Sequence, residues 1–142
     1  MLRSALLAAS LTVFLTASVN ASPAANKAAS SESETGKPLN IGFVLYTKSD
    51  VPGTLSARWS YANVYSGPGM ATGSPTSSGF VGHYHVRYFL ENGQFSDEYD
   101  LVIERMRDAY KVSWLTNGKL SAVGVGMEVE NGLAVGWRRV AD

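Results

Sequence analysis

The chain has no cysteine. That excludes disulfides, thiolate metal sites and cysteine nucleophiles. It has no excess of either charge, with 12 basic and 12 acidic side chains in 142 residues. Balanced charge removes the electrostatic footprint of a nucleic-acid binder, so nucleic acid is not an expected partner. No apolar run reaches the ~20 residues of a membrane-spanning helix, so the mature chain is expected to have no span. Helical periodicity is also missing after the first segment. The best rival, Glu98 to Tyr110, places Tyr99, Leu101 and Ile103 at period two instead. What is present is apolar: 45% hydrophobic and 11% aromatic residues. That is too much for a disordered chain and fits one small globular domain.

Residues 1–21 read as a secretory signal peptide. Arg3 supplies the positive start, Ala5 to Ala17 the apolar run, and Val19-Asn20-Ala21 a small-residue cleavage site before Ser22. A lipid anchor would need a cysteine after the cut. Small secreted domains of animals usually carry disulfides, so a cysteine-free exported chain points to a bacterial periplasmic or secreted protein. Residues 22–38 contain no large apolar side chain and read as a flexible linker. One domain is expected over residues 39–142.

That domain is written in period two. Asn-Gly occurs between apolar runs at Asn92-Gly93, Asn117-Gly118 and Asn131-Gly132. Asn and Gly tolerate the positive φ that type I′ hairpin turns need. Alternating sets follow along the chain: Ile41, Phe43, Leu45; Leu55, Ala57, Trp59, Tyr61; Tyr84, Val86, Tyr88; Tyr99, Leu101, Ile103; Tyr110, Val112, Trp114; Val123, Val125, Met127, Val129; and Leu133, Val135, Trp137. Such alternation puts one face in a core. Strands are predicted near 40–47, 54–62, 64–72, 80–90, 97–105, 109–116, 120–129 and 132–140. Residues 73–79 read as a loop, and Met106-Arg107-Asp108 as a tight connection. Gly36–Trp59 and Gly118–Trp137 echo each other as strand, turn and a second strand ending in Trp.

About seven to eight short antiparallel strands mean an all-β fold, an up-and-down β-barrel or, alternatively, a β-sandwich. The barrel is preferred because hairpins pair neighbours and closure removes edges. The stretch Tyr110 to Trp137, with Tyr-x-Val-x-Trp, Gly-x-Gly-Met and Gly-Leu-Ala-Val-Gly-Trp, resembles hairpins of small exported bacterial β-barrel proteins of uncharacterised function. In architecture alone it is similar to avidin-like and lipocalin-like barrels. The resemblance implies a fold and a compartment and carries over no active site.

Chemistry is sparse. His83 and His85, the chain's two histidines, share a strand face with Arg87, opposite Tyr84 and Val86. Two imidazoles side by side suit a metal. Glu91 and Asp97 are the nearby carboxylates, and no third histidine exists, so no metal is assigned. Arg58 faces away from Trp59, and Arg138 away from Trp137. Asp100 and Glu104 stand ~13 Å apart along a strand, too far to cooperate. No Gly-x-Ser-x-Gly elbow or phosphate loop appears. No catalytic residue and no cofactor are nominated. Trp59, Trp114 and Trp137, with five tyrosines, suggest an aromatic pocket or rim. The candidate ligand-binding residues are therefore Arg58, Trp59, His83, His85, Arg87, Trp114 and Trp137. The expected function is binding of a small apolar or aromatic ligand, or of a partner, with oligomers allowed. The alternatives are a filled barrel acting as an interaction module, and a barrel enzyme using His83, His85 and Arg87. Intact mass of the exported protein is expected to match residues 22–142; retention of residues 1–21 would contradict the cleavage site.

Overall fold

The computed structural model describes residues 39–75 and 79–140. The expected signal peptide at 1–21 and linker at 22–38 lie outside the described residues. Eight strands follow in order: β1 (Gly42–Lys48), β2 (Thr54–Tyr61), β3 (Tyr65–Pro75), β4 (Gly82–Phe89), β5 (Phe95–Met106), β6 (Ala109–Thr116), β7 (Lys119–Val129) and β8 (Gly132–Arg139). Each pairs antiparallel with the next, and β8 pairs back to β1, closing an up-and-down barrel. No helix occurs among the described residues. β3 runs on through Gly73, Ser74 and Pro75, which pair with Tyr84, His83 and Gly82. Turn-forming composition there had suggested a loop; partner strand β4 extends the ladder through it.

The three Asn-Gly pairs do different things. Asn117 (φ 51°) and Gly118 (φ 75°) are both left-handed between the paired Thr116 and Lys119, as a type I′ turn requires. Asn92-Gly93 instead sits in the loop 91–93, with Gly93 alone at positive φ (85°) and Leu90 and Gln94 hydrogen-bonded across it. Asn131 is left-handed, but Gly132 already belongs to β8 and pairs with Val129. Arg107 takes a left-handed φ of 52° in the tight β5–β6 turn. At the seam, the Asn40 amide donates to Arg139 O (2.9 Å) and accepts from Arg139 N (2.7 Å). The side chain thus mimics one more backbone pair between the two ends of the domain.

The inward face carries Val44 and Tyr46 from β1, Leu55, Ala57 and Trp59 from β2, and Ala71 from β3. It continues with Tyr84, Val86 and Tyr88, then Leu101 and Ile103, then Tyr110, Val112 and Trp114, and closes with Ala122, Leu133 and Val135. Five of the expected alternating sets point inward as read. Two do not. On β1, Ile41, Phe43 and Leu45 face outward, and Gly42, Val44 and Tyr46 face in. On β7, Val125, Met127 and Val129 face outward, and Ala122, Gly124 and Gly126 face in.

The reason is volume. An eight-stranded barrel has an interior of fixed, small width. The rings that enter it from some strands need strands without side chains opposite. A Cβ on Gly42 would lie 2.4 Å from the Trp137 ring, and one on Gly69 would lie 2.7 Å from the Tyr88 ring. Gly124 and Gly126 leave the same kind of room for Val135 and Leu133. The glycine-rich stretch of β3 is therefore neither rim nor phosphate loop. It is the inward side on which Gly67, Gly69, Ala71 and Gly73 make space.

A paired test of this packing is available. A Cβ on Gly67 would lie 1.9 Å from the backbone oxygen of Phe89, whereas one on Gly136 meets nothing within 4 Å. Gly67→Ala is expected to lower unfolding free energy by about 3 kcal/mol. Gly136→Ala should be neutral or stabilising by up to about 1 kcal/mol. Equal effects in urea titrations would overturn the inward assignment of β3.

Candidate functional site: the aromatic mouth

One end of the barrel carries the β2–β3, β4–β5 and β6–β7 turns. There the interior opens into a cavity of about 60 Å³, lined by Val44, Trp59, Tyr88, Asp97, Tyr99, Trp114, Ser121, Ala122, Trp137 and Arg139. Two register shifts fall at this end, at Tyr88/Phe89 on β4 and at Trp114/Leu115 on β6. A bulge re-aims side chains at a barrel rim, and each of these adjoins a cavity-lining ring.

The walls are rings in edge or stacked contact. Trp59 meets Tyr88 at 5.9 Å and 61°, and Tyr88 meets Tyr99 at 6.3 Å and 56°. Trp114 meets Trp137 at 6.0 Å and 49°. Trp137 stacks on Tyr61 at 5.2 Å and 15°, and the Arg139 guanidinium covers the Tyr61 ring at 5.0 Å. Trp59 is pinned by its Nε1, which donates to Phe89 O at 3.1 Å and Pro68 O at 3.3 Å. These contacts fix the rings before any guest arrives. The polar groups are few: Asp97, which accepts a 2.7 Å bond from the Ser96 hydroxyl, together with Ser121 and Arg139.

The cavity floor holds a buried hydrogen-bond chain. Trp114 Nε1 donates to the Tyr88 hydroxyl oxygen at 2.8 Å, and the hydroxyls of Tyr88 and Tyr46 lie 2.5 Å apart. The three groups carry three protons, and the chain uses two. If Tyr88 donated to Tyr46, the spare proton would sit on the fully buried Tyr46 hydroxyl, whose other neighbour, Trp114, is itself a donor. A stranded buried donor costs about 1–3 kcal/mol. With Tyr46 as donor, Tyr88 accepts twice and its own proton is left for a further acceptor. Tyr88 lines the cavity and Tyr46 does not.

Burial drives the titration of these phenols. It pushes Tyr46 well above its ordinary value, with the Tyr88 hydroxyl adding to the effect. Burial also raises Tyr88, although hydrogen bonds from Tyr46 and Trp114 oppose it. Tyr99 is raised by burial and then by the Asp97 charge, with Arg139 pulling the other way.

Of the residues nominated from sequence, Trp59, Trp114 and Trp137 come together here. Arg58, His83, His85 and Arg87 do not: all four sit on the outer surface. Arg58 forms an exposed ion pair with Glu91 at 2.8 Å. Its hydrogen bonds, and one from Ser66, hold the Glu91 carboxyl below its usual range. His85 lies 3.1 Å from Glu98 and 3.6 Å from Asp100, and Arg87 spreads between the Phe89 and Phe95 rings. Among the described residues no three His, Asp or Glu side chains converge in metal-ligating geometry. The enzyme reading thus finds its three residues on the outer surface, with His83 and His85 at an open depression beside Asp100. Asp97 and Arg139 were not nominated. Asp97 shares the phase of Tyr99, and Arg139 that of Trp137, so strand phase was the signal that could have found them.

Comparison with family models, curated proteins and solved structures finds no match for this chain.

The protected tyrosines set an alkaline limit. Their folded-state values lie above the unfolded value of about 10, so the stability they contribute is intact below that pH and is lost as pH rises through and beyond it. Unfolding free energy is expected to stay flat to about pH 10. It should then fall by up to about 1.4 kcal/mol per pH unit for each fully protected tyrosine. Tyr46→Phe should reduce that slope and cost about 1–2 kcal/mol at neutral pH. A slope unchanged by Tyr46→Phe would contradict the chain of hydroxyls.

Proposed function

We propose that this protein is an exported barrel that binds a small, flat, ring-bearing molecule at the aromatic mouth. The observation that carries this reading is a cavity walled by pre-set rings, among them Tyr88, whose hydroxyl is held by Trp114. A cavity of about 60 Å³ has room for about two waters and is smaller than the ~150 Å³ cavity that takes a whole benzene. It is also well below the ~300–1,000 Å³ of pockets for drug-sized ligands. The guest therefore inserts only the edge of one ring and leaves its remaining atoms beside Asp97, Ser121 and Arg139. Offset and edge-on ring contacts suit it to Trp59, Trp114 and Trp137. An acceptor on the ring, such as a carbonyl oxygen, takes the Tyr88 proton. Export is supported by the leader read at residues 1–21, and a cysteine-free exported chain points to a bacterial compartment. A second reading, a barrel that works through its outer surface, is favoured by the exposed side chains of Phe43, Val125 and Met127.

The ring reading is tested by calorimetry with acetophenone and with α-methylstyrene, which has nearly the same shape without the acceptor. Acetophenone is expected to bind about tenfold more tightly, the equivalent of one neutral hydrogen bond. Tyr88→Phe should abolish the difference, and Trp137→Ala should weaken both molecules. Equal affinity for the two in the unaltered protein, or no binding of either, would remove the basis for this reading.

A further inference from the structure

The outward face of β1, β8 and β7 is apolar and shaped. Phe43 and Leu45 on β1 stand beside Gly136 and Ala134 on β8. Val125 and Met127 on β7 stand beside the same two residues from the other side. The small β8 residues form the floor of a groove, and the larger side chains form two parallel ridges. With Ile41 and Val129 at the ends, the six large side chains are 36% to 68% exposed. Together they present roughly 600 Å² of apolar surface, at the upper limit for the largest patch of a monomer. That approaches the ~800 Å² each partner gives to a standard interface.

We propose that this face joins two copies of the chain about a two-fold axis. The other parts of the chain outside the described residues offer little to cover it. Residues 22–38 carry no large apolar side chain, and residues 76–78 are Thr-Ser-Ser. The leader at 1–21 is apolar, but it is expected to be cleaved. A second copy fits in its apolar pattern, since a two-fold axis running across the strands lays β8 of one copy along β8 of the other and brings the apolar side chains of β1 and β7 against their own counterparts. That contact is self-complementary, as a two-fold interface must be. It fits in charge too. Asp108 lines the groove at the Met127 end, and Arg138 stands beside Val123 at the opposite end. Antiparallel apposition brings Asp108 of each copy to Arg138 of the other, giving an apolar centre with a charged rim. With formal net charge of zero, no long-range repulsion opposes the pairing.

The test is sedimentation equilibrium of the exported protein up to about 100 µM, a range that reveals micromolar association. A dimer is expected. Gly136→Lys should give a monomer with unchanged far-UV circular dichroism, because a Cβ there meets nothing within 4 Å. Asp108→Arg and Arg138→Asp should each weaken the dimer about fivefold or more, since each change occurs twice across the axis. The double variant should regain the original affinity. A monomer at all concentrations, a Gly136→Lys protein that still dimerises, or a double variant that stays weak would each overturn the proposal. None of these outcomes bears on ligand binding at the mouth, where no residue is altered.

Discussion

The interior of a closed eight-stranded barrel cannot expand, and the rest of this structure answers to that limit. Strand number sets the width, so every large ring must be matched by an absent side chain elsewhere. Trp137 and Tyr88 are accommodated because Gly42 and Gly69 face them. The cost is borne by β3 and β7, whose inward positions are largely glycine and alanine, and by β1 at Gly42. Their apolar residues then have no interior to enter. The exposed stripe of Phe43, Leu45, Val125 and Met127 is therefore the other side of the same accounting.

The constraint also shapes the mouth. Below it, Tyr46, Val86, Leu101, Val112 and Val135 fill the barrel. Above, Trp59, Tyr88, Trp114 and Trp137 are too large to lie flat across that width. They stand against the wall and hold one another by edge contacts and by hydrogen bonds to backbone and hydroxyl oxygens. The opening is what remains between them. Its polar chemistry is sparse because most inward positions are spent on packing, and only the strand ends admit Asp97, Ser121 and Arg139.

Much of this was legible in the sequence, and the misreadings have physical causes. Where the largest residues alternate, as at Tyr84, Val86 and Tyr88, phase and burial agree. On β1 and β7 charge is confined to the strand ends, at Lys48, Lys119 and Glu128, and glycine carries no hydrophobic signal, so the larger apolar set reads as the core. Burial depended on neighbours that a single strand does not reveal. At the site, Trp59, Trp114 and Trp137 were readable because rings at strand ends gather at a barrel rim. Arg58, His83, His85 and Arg87 drew attention through their chemistry, although the same alternation set them opposite Trp59, Tyr84 and Tyr88. The Asn117-Gly118 turn was readable because local geometry alone demands it. Asn131 was not, since the β7–β8 register decides which two residues form the loop.

The seam between β1 and β8 has a consequence for the order of events in folding. Phe43 pairs with Gly136, and Asn40 with Arg139, nearly the full domain apart in sequence. Hairpins can form as the chain emerges, but the first strand keeps one edge unpaired until the last strand arrives. Closure of so long a loop is a slow, late step. A chain that cannot close until its final residues are available stays threadable while it is being synthesised. That property leaves the last hairpin as the gate to a finished barrel.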